Sequence, residues 1–176
     1  MEEELIELIN KLKNNKMEYF DSFFELTKKK VFFAAYSIIQ DYSLAEDFLQ
    51  NTFVIFLENI NKIDTNKSIL SYLITIARNQ ALNYINKHNK ISSIEDFKET
   101  FHSDDNLNSY KELIPLLKKI LDPIDFQILI LHVVDELKHR EIAEILKLPL
   151  GTITYKYNQT IKKIQEELKD AYWKRN

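Results

Sequence analysis

The sequence predicts an all-α fold, two small helical domains joined by a flexible linker, on three observations. A single Gly and three Pro among 176 residues leave few helix breakers. Apolar residues recur at three- and four-residue spacing over most of the chain, the period of an amphipathic helix rather than a strand. Residues 91–108, ISSIEDFKETFHSDDNLN, carry no sustained period and are polar and acidic, the composition of a linker. The expected division is a first domain over residues 1–90, an acidic linker over 91–109 and a second domain over 110–176.

Composition narrows the function classes. Hydrophobic residues make up 45% of the chain, enough to fill two cores. The absence of Cys excludes disulfides, thiolate zinc sites and a cysteine nucleophile, and it fits a reducing, cytoplasmic setting. No apolar run is long enough for a transmembrane helix, so no membrane insertion is expected. The start, MEEELIELINKL, is acidic and amphipathic, unlike a secretory signal. A net charge of −3 is not that of a general nucleic-acid binder. By segment the balance is −1 over residues 1–90, −3 over 91–111 and +1 over 112–176. Any DNA contact must then be local, or a larger partner must supply much of the affinity.

Taken in order, residues 4–40 show two blocks of helical periodicity. Leu5, Leu8, Ile9 and Leu12 form one stripe; Phe20, Phe23, Phe24, Val31, Ala35 and Ile38 form the next. Lys28, Lys29 and Lys30 make a short basic cluster, read as a solvated helix face. Ser43-Leu44-Ala45-Glu46 has the capping-box pattern and predicts the start of a third helix. Its apolar side holds Leu44, Phe48, Leu49, Phe53, Phe56 and Ile60; its polar side holds Glu46, Asp47, Gln50, Asn51 and Glu58. Asn61–Lys67, NKIDTNK, reads as a loop.

Ser68–His88 predicts a fourth helix with Leu70, Leu73, Ile74, Ala77, Ala81, Tyr84 and Ile85 as its core stripe. The opposite face carries Ser71, Thr75, Arg78, Asn79, Asn83 and Asn86. Short amides and hydroxyls lower helix propensity because they compete for backbone hydrogen bonds, so a solvated face is usually built from Lys and Glu instead. A row of them around one Arg points to a surface that hydrogen-bonds a partner, for instance base edges and phosphates. The flanking Tyr72 offers a ring on which an exposed base can stack. The alternative reading is an Asn-rich face that only reflects an AT-rich genome.

After the linker, Ser109 with Glu112 repeats the capping-box spacing and Pro115 suits a first turn. Asp122-Pro123 predicts a firmer start, with Asp at the N-cap, Pro at the first helical position and Asp125 in the first turn. Ile124, Phe126, Ile128, Ile130, Leu131 and Val134 then make a strongly apolar helix. His139–Lys163, HREIAEILKLPLGTITYKYNQTIKK, reads as two short helices joined by a turn. Ile142, Ala143, Ile145 and Leu146 line the first; Ile153 and Tyr157 line the second. Pro149 and Gly151 are expected to stop one and open the other. That is a helix-turn-helix pattern, in which the second helix commonly enters a DNA major groove, although such pairs occur in any all-α protein. Ile161, Ile164 and Leu168 extend the last helix toward Trp173.

Catalytic patterns are missing. One Gly cannot build a phosphate-binding loop. His88, His102, His132 and His139 show no metal-ligand spacing, so no metal and no cofactor are expected. Glu136, Glu141 and Glu144 read as a solvated face, and His132 as a satisfied core or surface residue. No enzyme is expected.

Three stretches in this order resemble the sigma-70 family, specifically its small two-domain extracytoplasmic-function (ECF) members. Ser43–Ile60, SLAEDFLQNTFVIFLENI, resembles the polymerase-binding helix, and Ser68–Lys90, SILSYLITIARNQALNYINKHNK, the helix that melts and reads the −10 element. Asp122–Leu168, with EIAEIL and LGTI at the expected spacing, resembles the second domain. The resemblance implies a sigma factor that binds core RNA polymerase, through its β′ clamp and β flap, and directs promoter-specific initiation. Asp47, Gln50, Asn51, Val54 and Glu58 would dock on the β′ coiled coil. Asn66, Lys67, Ser68, Ser71, Tyr72, Thr75, Arg78, Asn79, Asn83 and Lys87 would hold the unstacked −10 strand. Arg140, Thr152, Thr154, Tyr155, Lys156, Asn158, Gln159 and Lys163 would contact the −35 region. The linker would thread toward the RNA exit path, and an anti-sigma factor is a further implied partner.

Three departures from the family pattern stand out. Tyr72 replaces the usual Trp and keeps an aromatic plate. Lys147 replaces the usual turn Gly, at a cost of about 1 kcal/mol if the backbone there is left-handed. The recognition helix, commonly rich in Arg, offers only Lys156 before Lys162 and Lys163, and Arg is the main bidentate reader of guanine. Two other readings follow. In one, a separate DNA-targeting protein replaces the weak −35 reader; in the other, the chain is a helix-turn-helix regulator that never engages polymerase.

Overall fold

The computed structural model describes residues 2–88 and 113–173, with side chains as far as Lys169. The expected linker 91–109 and the Ser109–Glu112 cap lie outside the described residues, as does the side chain of Trp173. All regular structure in the described residues is helical, as the composition predicts. The chain divides into two compact units, Met1–Lys98 and Glu99–Asn176. Among the described residues no helix is long and apolar enough to cross a membrane.

The first unit contains α1 (Glu2–Lys13), α2 (Phe20–Ile39), α3 (Tyr42–Glu58) and α4 (Ile69–His88), with short 3-10 turns at Met17–Tyr19 and Ile60–Lys62. The central helix is α2, which packs against α1, α3 and α4. Its residues Val31 to Ser37 are buried without interruption, so this stretch is covered on every side. Aromatic rings fill the space between α2 and α3. Phe23 stacks on Phe56 at 4.6 Å between centroids, and Phe53 meets Phe24 at 4.8 Å. The predicted stripe of α1, Leu5, Leu8, Ile9 and Leu12, is buried against this core.

Local chemistry sets the ends of these helices. Acidic Glu2, Glu3 and Glu4 occupy the first turn of α1 and Lys11 and Lys13 the last, the arrangement the helix dipole favours. The start of α3 differs from the sequence expectation. The N-cap is Asp41, whose carboxylate accepts from the Leu44 amide at 2.9 Å, and Ser43 is an exposed residue inside the first turn. A carboxylate at the helix mouth also complements the dipole, which a Ser does not. Two residues cap α4: Ser68 Oγ accepts from the Ser71 amide at 3.2 Å, and Glu2 of α1 accepts from the Ile69 amide at 2.6 Å.

The second unit contains α5 (Leu113–Ile120), α6 (Pro123–Val133), α7 (His139–Leu146) and α8 (Leu150–Trp173). Helix α8 packs on α5, α6 and α7 around Ile114, Leu117, Phe126, Ile128, Leu131, Ile142 and Ile153. Pro123 opens α6 after Asp122, as expected, but the Asp122 carboxylate makes no capping hydrogen bond. The α7 start is closed by Glu141, whose carboxylate accepts from the Lys138 amide at 2.8 Å.

The turn between α7 and α8 departs from the Pro–Gly expectation in one respect. Pro149 sits where expected, its carbonyl accepting from the Thr152 and Ile153 amides. Gly151 is already helical, has no positive φ, and an added Cβ there would meet nothing within 4 Å. The left-handed residue is Lys147, at φ 55 and ψ 40, with its amide bonded to the Ala143 carbonyl. A Cβ in that region costs about 1 kcal/mol, so α7 ends under local strain.

Candidate functional site

Most of the polar side of α3 is exposed, with Glu46 half-buried. Asp47, Gln50, Asn51, Val54 and Glu58 are all exposed, and the last four follow Asp47 by three, four, seven and eleven residues, along one side. Val54 is 52% exposed in the middle of that polar row, an apolar side chain in want of a partner surface. Asn51 is less free than its exposure implies. Its Nδ2 donates to Gln80 Oε1 on α4 at 2.5 Å. Gln80 Nε2 in turn donates to Thr52 Oγ1 at 2.8 Å, and the buried Thr52 hydroxyl donates to the Phe48 carbonyl at 2.6 Å. Gln80 thus ties the exposed row of α3 to α4. Sequence reasoning missed it because Gln80 falls on neither stripe of α4, at the seam between the two helices.

The α4 face needs two corrections. Arg78, expected to reach out toward DNA, is only 6% exposed. Its long apolar stem lets the side chain follow Ala77 and Ala81 into the core boundary. Ser71 stands two turns earlier on the same stripe, and its Oγ is buried with no hydrogen-bond partner among the described residues. The helical phase that carries Arg78 inward carries Ser71 with it. The surface that remains holds Thr75, Asn79, Asn83 and Lys87, all exposed, with Tyr72 half-buried at its edge. Thr75 Oγ1 donates back to the Ser71 carbonyl at 2.7 Å.

The preceding loop is partly pre-formed. Asp64 Oδ1 accepts from both the backbone and the side-chain amide of Asn66 at 3.0 Å. Those two bonds hold the Asp64 carboxyl below its usual range. Lys13 of α1 donates to the Ile63 carbonyl at 2.6 Å. Asn66 and Lys67 remain exposed, and Ser68 is occupied in capping α4.

On α8, Tyr155 is 65% exposed and Asn158, Gln159 and Lys163 are exposed; Arg140 on α7 is exposed as well. Thr152 and Thr154 are half-buried, and Thr154 Oγ1 lies 3.2 Å from His139 Nδ1. Lys156 is the third correction. Its ammonium pairs with Asp125 of α6 at 2.7 Å, with 31% and 18% of the two side chains exposed. Its position beside Thr160 and Ile153, both buried, turns the side chain toward α6.

A cluster the sequence did not announce lies beneath α8. The rings of His132, His139 and Tyr157 meet with centroids 4.5 to 4.9 Å apart. His132 Nδ1 donates to the Leu137 carbonyl at 2.8 Å. Burial, and then the neighbouring His132, push His139 below its ordinary value. No single helix carries this grouping, so no periodicity could reveal it. Among the described residues no group of three His, Cys, Asp or Glu is placed to hold a metal.

Comparison with known proteins gives the class of this chain. Residues 23–91 match Sigma-70 region 2 and residues 112–164 match Sigma-70, region 4. The chain belongs to the sigma-70 family. Its relatives narrow this to the ECF type. One is the ECF RNA polymerase sigma factor SigW of Bacillus subtilis (strain 168), 24% identical over 180 residues, covering 92% of this chain and 95% of the relative. Another is SigM of the same organism, 27% identical over 134 residues, covering 73% and 82%. Among solved structures, CnrH in complex with the cytosolic domain of CnrY has a TM-score of 0.68 at 16% identity, covering 94% of this chain and 97% of that one. The sigma factor RpoE of Bartonella quintana, in complex with the anti-sigma factor NepR, has 0.64 at 21%, covering 85% and 96%. At these identities the structures establish likeness of fold.

Proposed function

We propose that the protein binds core RNA polymerase and directs promoter-specific transcription initiation, with no catalysis of its own. The observation that carries this is the exposed row Asp47, Gln50, Asn51, Val54 and Glu58, tied through Gln80 to α4, within a chain matching both family regions in order. The α3 row docks on the β′ clamp. Tyr72, Thr75, Asn79, Asn83 and Lys87, with Asn66 and Lys67 of the loop, hold the −10 strand. Extruding a base costs a few kcal/mol, which stacking on Tyr72 and edge hydrogen bonds to Asn79 and Asn83 offset. Arg140, Thr152, Tyr155, Asn158, Gln159 and Lys163 face the −35 region. Domain boundaries at residues 90 and 110 belong to the same reading. The two solved structures described above are complexes with another protein, CnrY and an anti-sigma factor, which supports an anti-sigma partner here too.

The test is reconstitution. Added to sigma-free core polymerase, the protein should co-purify with it and support initiation on a subset of promoters. Failure both to bind core and to initiate would overturn the reading.

A further inference from the structure

The Lys156–Asp125 pair changes what α8 can offer to DNA. From Leu150 through Gln159, Lys156 is the one charged residue of α8, and its ammonium sits 2.7 Å from a carboxylate that is itself mostly covered. The outward side chains of the same turns, Tyr155, Asn158 and Gln159, are uncharged. To reach a phosphate, Lys156 would have to abandon Asp125 and leave a half-buried carboxylate without its partner. The carboxylate would also repel the incoming phosphates. Both effects keep the pair closed.

We propose that Asp125 is a positioning residue for upstream-element reading. By holding Lys156 against α6, it leaves the reading turns of α8 neutral. The element is then distinguished through amide and aromatic contacts to base edges, with one phosphate fewer neutralised than the sequence would allow. This rests on the reading of α8 as the −35 contact. The ligand class is double-stranded promoter DNA bound with a shallow salt dependence, because each phosphate neutralised by a cation contributes about 0.9 to the slope of log affinity on log salt.

The experiment is a double-mutant cycle on the full chain, free and mixed with core polymerase, titrated onto a promoter duplex over a range of salt. Asp125→Ala should release Lys156 to a phosphate, tighten binding and steepen the slope by about 0.9. That gain should shrink roughly threefold between 50 and 200 mM salt. It should disappear in Asp125→Ala/Lys156→Ala. Asp125→Asn, which keeps the side-chain volume, should show the same signs if circular dichroism finds the Ala variant unfolded. Unchanged or weaker binding by the folded variants, an unchanged slope, or a gain that survives loss of Lys156 would each overturn the proposal. So would the absence of duplex binding by the variants in both states. If the wild-type chain fails to associate with core polymerase, the functional reading falls instead, whatever the slopes.

Discussion

Asn51 Nδ2 and Gln80 Oε1 meet at 2.5 Å across the seam between α3 and α4, joining a residue of the row proposed to face polymerase to the helix proposed to hold the −10 strand. Gln80→Ala removes the acceptor for Asn51 and the donor to buried Thr52. It should destabilise the protein by about 1–2 kcal/mol in chemical denaturation. It should also weaken core polymerase binding more than that loss accounts for. Gln80→Glu keeps an acceptor for Asn51 and removes only the donor to Thr52, so it should lose stability while retaining polymerase affinity.

The exposed α3 row should be replaceable without harm to the fold. Asp47→Lys and Val54→Asp change side chains that point to solvent, so stability should stay within the scatter of surface substitutions, about 0.5 kcal/mol. Co-purification with core polymerase should fall at least tenfold. Retained binding in both variants would remove this face from the interface.

Tyr72 and the Asn158–Gln159 pair should fail differently. Tyr72→Ala should cost about 1–3 kcal/mol in open-complex formation, the worth of one stacked base, and Tyr72→Trp should restore it. Asn158→Ala or Gln159→Ala should leave melting intact and lower discrimination among −35 sequences by about 1–3 kcal/mol for each bidentate amide–base pairing removed. Permanganate footprinting and competition binding separate the two.

His139 makes the second unit sensitive to acid. Its folded value lies below the ordinary 6.5, with burial as the leading cause and His132 the second. The unfolded chain therefore takes up a proton first as pH falls. The stability from keeping His139 neutral is present in full above about 6.5 and is lost progressively as pH drops through the folded value. Thermal unfolding of the second unit should weaken over that window in the wild type. In His139→Asn the dependence should be flatter; an unchanged profile would rule His139 out as its source.

Most of the helices were legible in the sequence because burial imposes the period directly: the whole stripe of α1 is buried, as are Leu70, Leu73, Ile74, Ala77 and Ala81 of the α4 stripe, with Tyr84 and Ile85 half-buried at its end. What was not legible depends on partners far apart in the chain. Asp41 rather than Ser43 caps α3, since both residue types suit that role and only the backbone bend decides. Arg78 was placed on the polar face because its charge was read and its apolar stem was not. Lys156 looked like the first cation of the recognition helix, yet its partner, Asp125, lies 31 residues away on another helix. Gln80 and the His132–His139–Tyr157 cluster escaped for the same reason.

The chain's one Gly is absent from all four of its left-handed positions among the described residues, Asn15, Gln40, Glu136 and Lys147. Each lies at a junction between helices, and at Gln40, Glu136 and Lys147 the side chain biases the backbone toward leaving that conformation by about 1 kcal/mol, a cost Asn15 largely escapes. That is roughly a fivefold larger population of the locally opened turn. The amides of Gln40 and Lys147, bonded to Tyr36 and Ala143, should therefore exchange with deuterium ahead of the neighbouring helix interiors. Lys147→Gly should slow exchange at its own turn and not at Gln40. The orientation of α8 relative to α7 would then be renewed by frequent small openings rather than held by a single rigid corner, and the rate of that renewal would be set by Lys147, a residue outside both proposed contact sets.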